Sequence, residues 1–340
     1  MRVLVTGATG FVGSAVAREI HARGHAVRVL ARDTSDLTAL EGISHEVARG
    51  DVLDRAAAAR AVAGCDAVVH SAGLVSFEPD PRGRMMAVNA GGVEVVLGAA
   101  LQAGVRKAVL TSSIAVLGGS RSRSPRTADE ATPSNADALG IPYLVSKLRG
   151  EEAALDLAAR GLPVSVVRPG YVLGPGGRRG TSAATVLALA RCRVPWVVNG
   201  GTSFCDVRDV ARGHAEALER GRPGEVYLLG GHNLSVCEFA GAVSGMAGVR
   251  PPRRLSYGLA LAAAAAAQGL ALASGKPPRL TVDLVRATAI FTWVASGRAE
   301  RELGYAVRPL GEMIRDTLRF YLRAGALEPR TPELRALAAG

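Results

Sequence analysis

The sequence predicts an α/β protein built on a doubly wound parallel sheet, with a smaller C-terminal lobe. Three observations lead there. A short β-branched run, Val3-Leu4-Val5, breaks into glycines at 7, 10 and 13 and then into Ser14–Ile20, whose apolar positions recur at helical spacing. Short apolar strands go on alternating with helical patterns through the first half of the chain, the signature of a parallel sheet. Past Gly170 that alternation degrades into glycine-rich loop and mixed helices, so the lobes are drawn at 1–168 and 169–340, with a late strand near 225–231 returning to the first sheet.

The first strand, turn and helix have the form of a dinucleotide site, in which each glycine has its own task. Gly7 takes the tight turn, Gly10 lets backbone approach a pyrophosphate, and Gly13 lets the helix lie close to the sheet. The helix start then offers unpaired N–H groups and a positive dipole end to phosphate. A plain strand-to-helix turn is the rival reading. The second strand, Val27 to Leu30, ends in Ala31-Arg32 where an acid would bind the 2′-hydroxyl of NAD; a neutral residue followed by a guanidinium suits the 2′-phosphate of NADP instead. Asp33 beside it weakens the distinction, and a merely solvated Arg32 is the alternative. Asp51, after the third strand, is placed to accept from an adenine amino group, or to cap a helix that Asp54 would cap better.

Cys65–Gly73 reads as a fourth strand ending in the small residues Ser71, Ala72 and Gly73, where a cofactor can lie on backbone. Asn89 opens or interrupts a helix reaching about Ala103, and Lys107–Ser113 is a fifth strand. Tyr143-Leu-Val-Ser-Lys147 opens a further helix to about Arg160, and a spacing of four puts Tyr143 and Lys147 on one face. Leu162–Arg168 is a sixth strand stopped by Pro169. Gly174–Gly180 is loop, a helix follows near Ser182–Cys192, Asp206 or Asp209 caps another, and Glu225–Gly231 is the late strand.

The chain has 340 residues, 48% apolar, enough for a large core. A net charge of +11 would suit nucleic acid, anionic lipid or a phosphorylated cofactor, yet the arginines are scattered and aromatics are only 4%. The basic cluster Ser120–Arg126 stops after one short run and reads as a polar loop, so no nucleic-acid partner is expected. Four cysteines (65, 192, 205, 237) without a C-x-x-C pair imply mostly buried free thiols, and singly placed histidines imply no metal. Met1 runs directly into the first strand, leaving no room for a leader, so a cytoplasmic location is expected. The uncharged stretch 255–275 reaches membrane-spanning length, but alanine anchors feebly and Gly258, Gln268 and Gly269 interrupt it. It reads as a buried or groove-lining helix, with peripheral membrane contact or a true span as alternatives.

Together, Gly7-x-x-Gly10-x-x-Gly13, Asp51, Thr111-Ser-Ser113, Tyr143-x-x-x-Lys147 and Arg168-Pro-Gly170 resemble the extended short-chain dehydrogenase/reductase family. Within it the chain is most similar to dihydroflavonol-4-reductase-like, 3β-hydroxysteroid-dehydrogenase-like and hopanoid-associated epimerase-like members. Phe204–Ala211 and Ala299–Tyr305 resemble the family's substrate lobe. The resemblance implies a Rossmann fold and a cofactor held by Gly7, Thr9, Gly10, Phe11, Val12, Gly13, Arg32, Asp51, Val52, Ser71, Ala72, Gly73, Asn89, Thr111, Tyr143, Lys147, Pro169 and Val172. It also implies a homodimer through the helices near 88–103 and 143–160. Ser113, Tyr143 and Lys147 align with its catalytic set; Ser112 is expected to face the sheet.

The chemistry follows from the residue types. A phenol of ordinary pKa about 10 carries protons poorly at neutral pH, so an ammonium one turn away would favour its phenolate. Tyr143 would then exchange a proton with a substrate oxygen as hydride moves, Ser113 would orient that oxygen, and the family gives Lys147 a bond to the nicotinamide ribose. The first expectation is an NADP(H)-dependent oxidoreductase interconverting a ketone and a secondary alcohol on an apolar small molecule. NAD(H) remains possible in the site. The alternatives are a nucleotide-sugar epimerase or dehydratase with tightly bound NAD, to which Arg178, Arg179 and Arg208 would contribute, and a non-catalytic NADP sensor.

Overall fold

The computed structural model describes residues 1–80, 82–122, 126–177, 182–274, 278 and 280–339. Its centre is a seven-stranded, all-parallel sheet built from β1 (Arg2–Thr6), β2 (Ala26–Ala31), β3 (His45–Arg49), β4 (Ala67–His70), β5 (Lys107–Thr111), β6 (Val164–Pro169) and the late strand Val226–Leu229. The order runs from Val226–Leu229 through β6, β5, β4, β1 and β2 to β3. Every neighbouring pair is parallel. The late strand therefore closes the edge beside β6.

Side-chain alternation explains the two covered faces. Val3 and Val5 enter one core with Val29, Val69 and Val109, whereas Leu4 enters the other with Val68, Leu110 and Val166. Helix α1 (Phe11–Ala22) buries Gly13, Val16, Ala17 and Ile20 on the first face. The second face carries α2 (Arg55–Val62), α3 (Arg84–Gln102) and α4 (Pro142–Ala159). Asp54 caps α2, accepting from the N–H groups of Ala56 and Ala57.

A second sheet joins Gly201–Asp206 to His232–Ser235 (antiparallel) and to Tyr171–Leu173 and Phe291–Thr292 (both parallel). It packs on a separate core in which Phe204 stacks on Phe239 with ring centroids 4.1 Å apart. Asp206, rather than Asp209, caps the helix Val207–Arg220. Two expectations are corrected. Tyr257–Ser274 is a helix but is not buried: among its residues only Ala260 and Ala264 are buried. Of the cysteines only Cys205 is buried, and Cys192 is exposed.

Candidate active site

All strands of a parallel sheet end together, so the residues that follow β1, β2, β4 and β5 gather at one edge. At the β1 end Gly7 has φ +68°, and a Cβ there would lie 2.6 Å from the Ala72 nitrogen. A Cβ on Gly13 would lie 2.2 Å from the Gly7 carbonyl oxygen. Neither position admits a side chain. The Ala72 N–H donates to Thr6 Oγ1 at 3.2 Å, and that hydroxyl meets His70 Nδ1 at 3.0 Å, which clamps the Ser71–Gly73 segment against the glycine turn. Burial, aided by the Lys147 ammonium, pushes His70 down to about 3, so the imidazole is neutral and serves packing.

This edge fits a dinucleotide on its own evidence. No side chain caps α1 at Gly10, so its first-turn N–H groups face outward unclaimed, and Ser71 Oγ is buried without a partner. Thr9, Phe11 and Val12 are part-buried around that turn. At the end of β2, Arg32 is exposed, and Arg49 on neighbouring β3 donates from Nη1 to its carbonyl oxygen at 3.1 Å. Arg49 thus lies against the end of β2, its Nε 3.9 Å from Asp33. Asp51 Oδ1 accepts from the Leu53 N–H at 3.0 Å, and Val52 lies against Gly92.

Tyr143 and Lys147 rise from the first turns of α4, where Pro142 occupies the helix start. Lys147 Nζ donates to the Thr111 carbonyl at 2.8 Å and stands 3.7 Å from where a Gly73 Cβ would be. The ammonium thus bridges the ends of β4 and β5. Burial pushes it down to about 8, against the pull of the Glu151 carboxylate. Tyr143 stands beside Ser113 and meets the Phe77 ring edge-on, centroids 5.7 Å apart. Burial raises its pKa, and the neighbouring Ser113 side chain opposes this. Ile141, Leu144, Ile290, Ala115 and Ala287 complete an apolar wall around it.

Asn89 sits in a π-turn, Ala87–Gly91, that interrupts α3. Its side chain is fully engaged: Oδ1 accepts from the Leu74 N–H, while Nδ2 donates to the Leu74 carbonyl and to Ser146 Oγ. It ties the segment after Gly73 to the tyrosine helix. Pro169 is buried at the end of β6, and Val172 points into the core, its carbonyl accepting from the Ser182 hydroxyl. Arg208 is bound to Asp206 and Asp316 and is not free for a diphosphate. Arg178 and Arg179 lie outside the described residues.

A model of the NAD-dependent epimerase/dehydratase family matches residues 3–230. The chain belongs to this family. As an epimerase/dehydratase-family protein of the extended short-chain dehydrogenase/reductase type it is an NAD(P)-dependent enzyme. It is 33% identical over 267 residues to sterol demethylase protein B of Methylococcus capsulatus, covering 77% of this chain and 80% of that one. It is 29% identical to a 4-hydroxy-2-methyl-3-oxo-4-farnesyl-3,4-dihydroquinoline-1-oxide ketoreductase of Stigmatella aurantiaca, over 94% of this chain and 96% of the relative. The solved crystal structure of gox2253 superposes with a TM-score of 0.82 at 36% identity, covering 96% of this chain and 99% of that one.

Sequence reasoning missed the buried Glu151 in this epimerase/dehydratase-family site. Glu151 accepts from the Ser112 hydroxyl at 2.6 Å and from Arg168 Nε at 3.0 and 3.1 Å, with a further bond from Arg168 Nη2. Its signal was present, since Glu151 follows Lys147 by four and shares its helix face. Arg49 and the Thr111–His214 bond of 2.9 Å had no such signal. His214 gives its Nδ1 proton to the Val210 carbonyl, so Nε2 accepts from Thr111 and fixes that strand end.

Proposed function

We propose that this enzyme is an NADP(H)-dependent oxidoreductase that interconverts a ketone and a secondary alcohol on an apolar substrate. One observation carries the reading: the Tyr143 phenol, beside Ser113, stands in an apolar wall within one helical turn of Lys147. The glycine turn with the α1 start would hold the pyrophosphate, Arg32 and Arg49 the 2′-phosphate, and Lys147 the nicotinamide ribose. Bound there, the nicotinamide supplies the hydride. In the reduction direction the Ser113 hydroxyl orients the substrate oxygen and the Tyr143 phenol donates its proton to it. The Lys147 ammonium, anchored on the Thr111 carbonyl, stabilises the phenolate left behind. The named relatives act on a sterol and on a farnesylated ketone, which supports an apolar ligand. The engagement of Arg208 with two carboxylates counts against a nucleotide sugar.

Arg32→Asp is expected to lower NADPH affinity about tenfold or more relative to NADH, read by calorimetric titration, because it replaces a phosphate partner with a repelling charge. An unchanged NADPH/NADH ratio would refute the phosphate contact. Tightly retained NAD in denatured samples of the purified protein would favour the epimerase instead.

The rate of reduction is expected to fall as pH rises through about 8, because Lys147 then loses the proton that stabilises the phenolate. A flat kcat/KM profile from pH 7 to 10 would remove Lys147 from that role.

A further inference from the structure

Among the described residues two helices are long and apolar enough to cross a membrane, Arg84–Gln102 and Tyr257–Ser274; the first is 56% buried within the protein, the second only 11%. The outward stripe of the second carries Leu259, Ala262, Ala263, Ala266, Leu270 and Ala273, all exposed and at helical spacing. Leu259, Leu270 and Leu272 are 63%, 71% and 88% exposed. A soluble protein does not ordinarily present such a face to water.

The surroundings identify what covers it. No acidic residue occurs between Glu238 and Asp283, whereas Arg250, Arg253 and Arg254 are exposed just before the helix. Arg253 is registered beside Trp196, whose indole is 58% exposed. The Arg121 guanidinium lies 3.6 Å above the Tyr257 ring at the helix start. An exposed Trp and a half-buried Tyr next to arginines, beside an uncharged apolar stripe, match the headgroup boundary of an anionic bilayer. The helix is also pinned to the protein: Ala260 and Ala264 pack with Val285, and Gln268 Oε1 accepts from the Val282 N–H at 3.0 Å. That attachment suits a helix lying in the interface and opposes one that leaves the protein to span it.

We propose that the Tyr257–Ser274 helix, with Trp196 and Arg253–Arg254, docks this enzyme on an anionic lipid surface. The docking stands apart from the reductase reading. Where both hold, a membrane-dissolved substrate has a short way to the chemistry: Thr281, at the start of the helix Val282–Thr288 beneath the docking helix, donates to the Phe77 carbonyl at 2.6 Å, and Phe77 touches Tyr143.

The test is cosedimentation of the full chain with phosphatidylcholine vesicles, with and without phosphatidylglycerol. Binding is expected to require phosphatidylglycerol, to weaken with salt, and to shift Trp196 fluorescence to the blue, a shift lost in Trp196→Phe. Leu259→Gln with Leu270→Gln should weaken binding about tenfold or more without changing circular dichroism or melting temperature. Arg253→Glu with Arg254→Glu should abolish the phosphatidylglycerol preference. No binding at low salt, or binding untouched by the leucine pair, would overturn the proposal. So would self-association that the leucine pair abolishes in a chain that binds no vesicles, since the face would then join two copies.

Discussion

Tyr143→Phe is expected to lower kcat for ketone reduction about 100- to 10,000-fold, the usual contribution of a positioned proton donor, with NADPH affinity close to that of the unchanged enzyme. The substitution removes only the hydroxyl. The ring still meets Phe77 edge-on and fills the wall formed by Ile141, Leu144 and Ile290, so packing is kept. Ser113 keeps its bond from the Ala115 N–H at 3.1 Å, which holds the strand end in place. A drop in turnover with intact cofactor binding therefore isolates proton transfer. Near-normal turnover on any accepted ketone would show that another group supplies the proton.

The largest expected loss of stability is at Glu151, because Glu151→Ala leaves the Arg168 guanidinium buried and uncompensated. Breaking such a pair costs about 3–5 kcal/mol, and it should appear as a lowered denaturation midpoint. Arg168 Nη1 already lacks a partner, so the guanidinium has no second carboxylate to turn to among the described residues. Glu151→Leu with Arg168→Met should recover most of that loss, since two apolar side chains strand no charge. If the double variant were no more stable than Glu151→Ala, charge burial would not be the cause.

Glu151→Gln separates positioning from scaffolding. The carboxylate raises the Lys147 pKa, so removing its charge should move the high-pH fall in reduction below about 8. A merely structural Glu151 would lower stability and leave the profile where it was.

Several of these groups are legible in the chain because their signals are local. Asp54 as the α2 cap and Tyr143 with Lys147 on one helix face follow from spacing of a few residues. The glycine turn does too, and the structure supplies its reason, since a Cβ at Gly7 or Gly13 would strike backbone. The groups that hold the site together are not local. Asn89 reaches Ser146 over 57 positions and Thr111 reaches His214 over 103. No periodicity of one segment encodes such a pairing.

The sequence alone determined the strand and helix alternation, the dinucleotide turn and the face shared by Tyr143 and Lys147, because backbone geometry converts short spacings into neighbours. Tertiary structure decided the rest. It set the burial of Tyr143 and Lys147, which pushes the phenol's pKa up and the ammonium's down. It also decided that the alanine-leucine helix lies outside the protein. Composition reads alike for a core helix and an exposed one, and only the position of the neighbouring helix, beneath Ala260 and Ala264, distinguishes them.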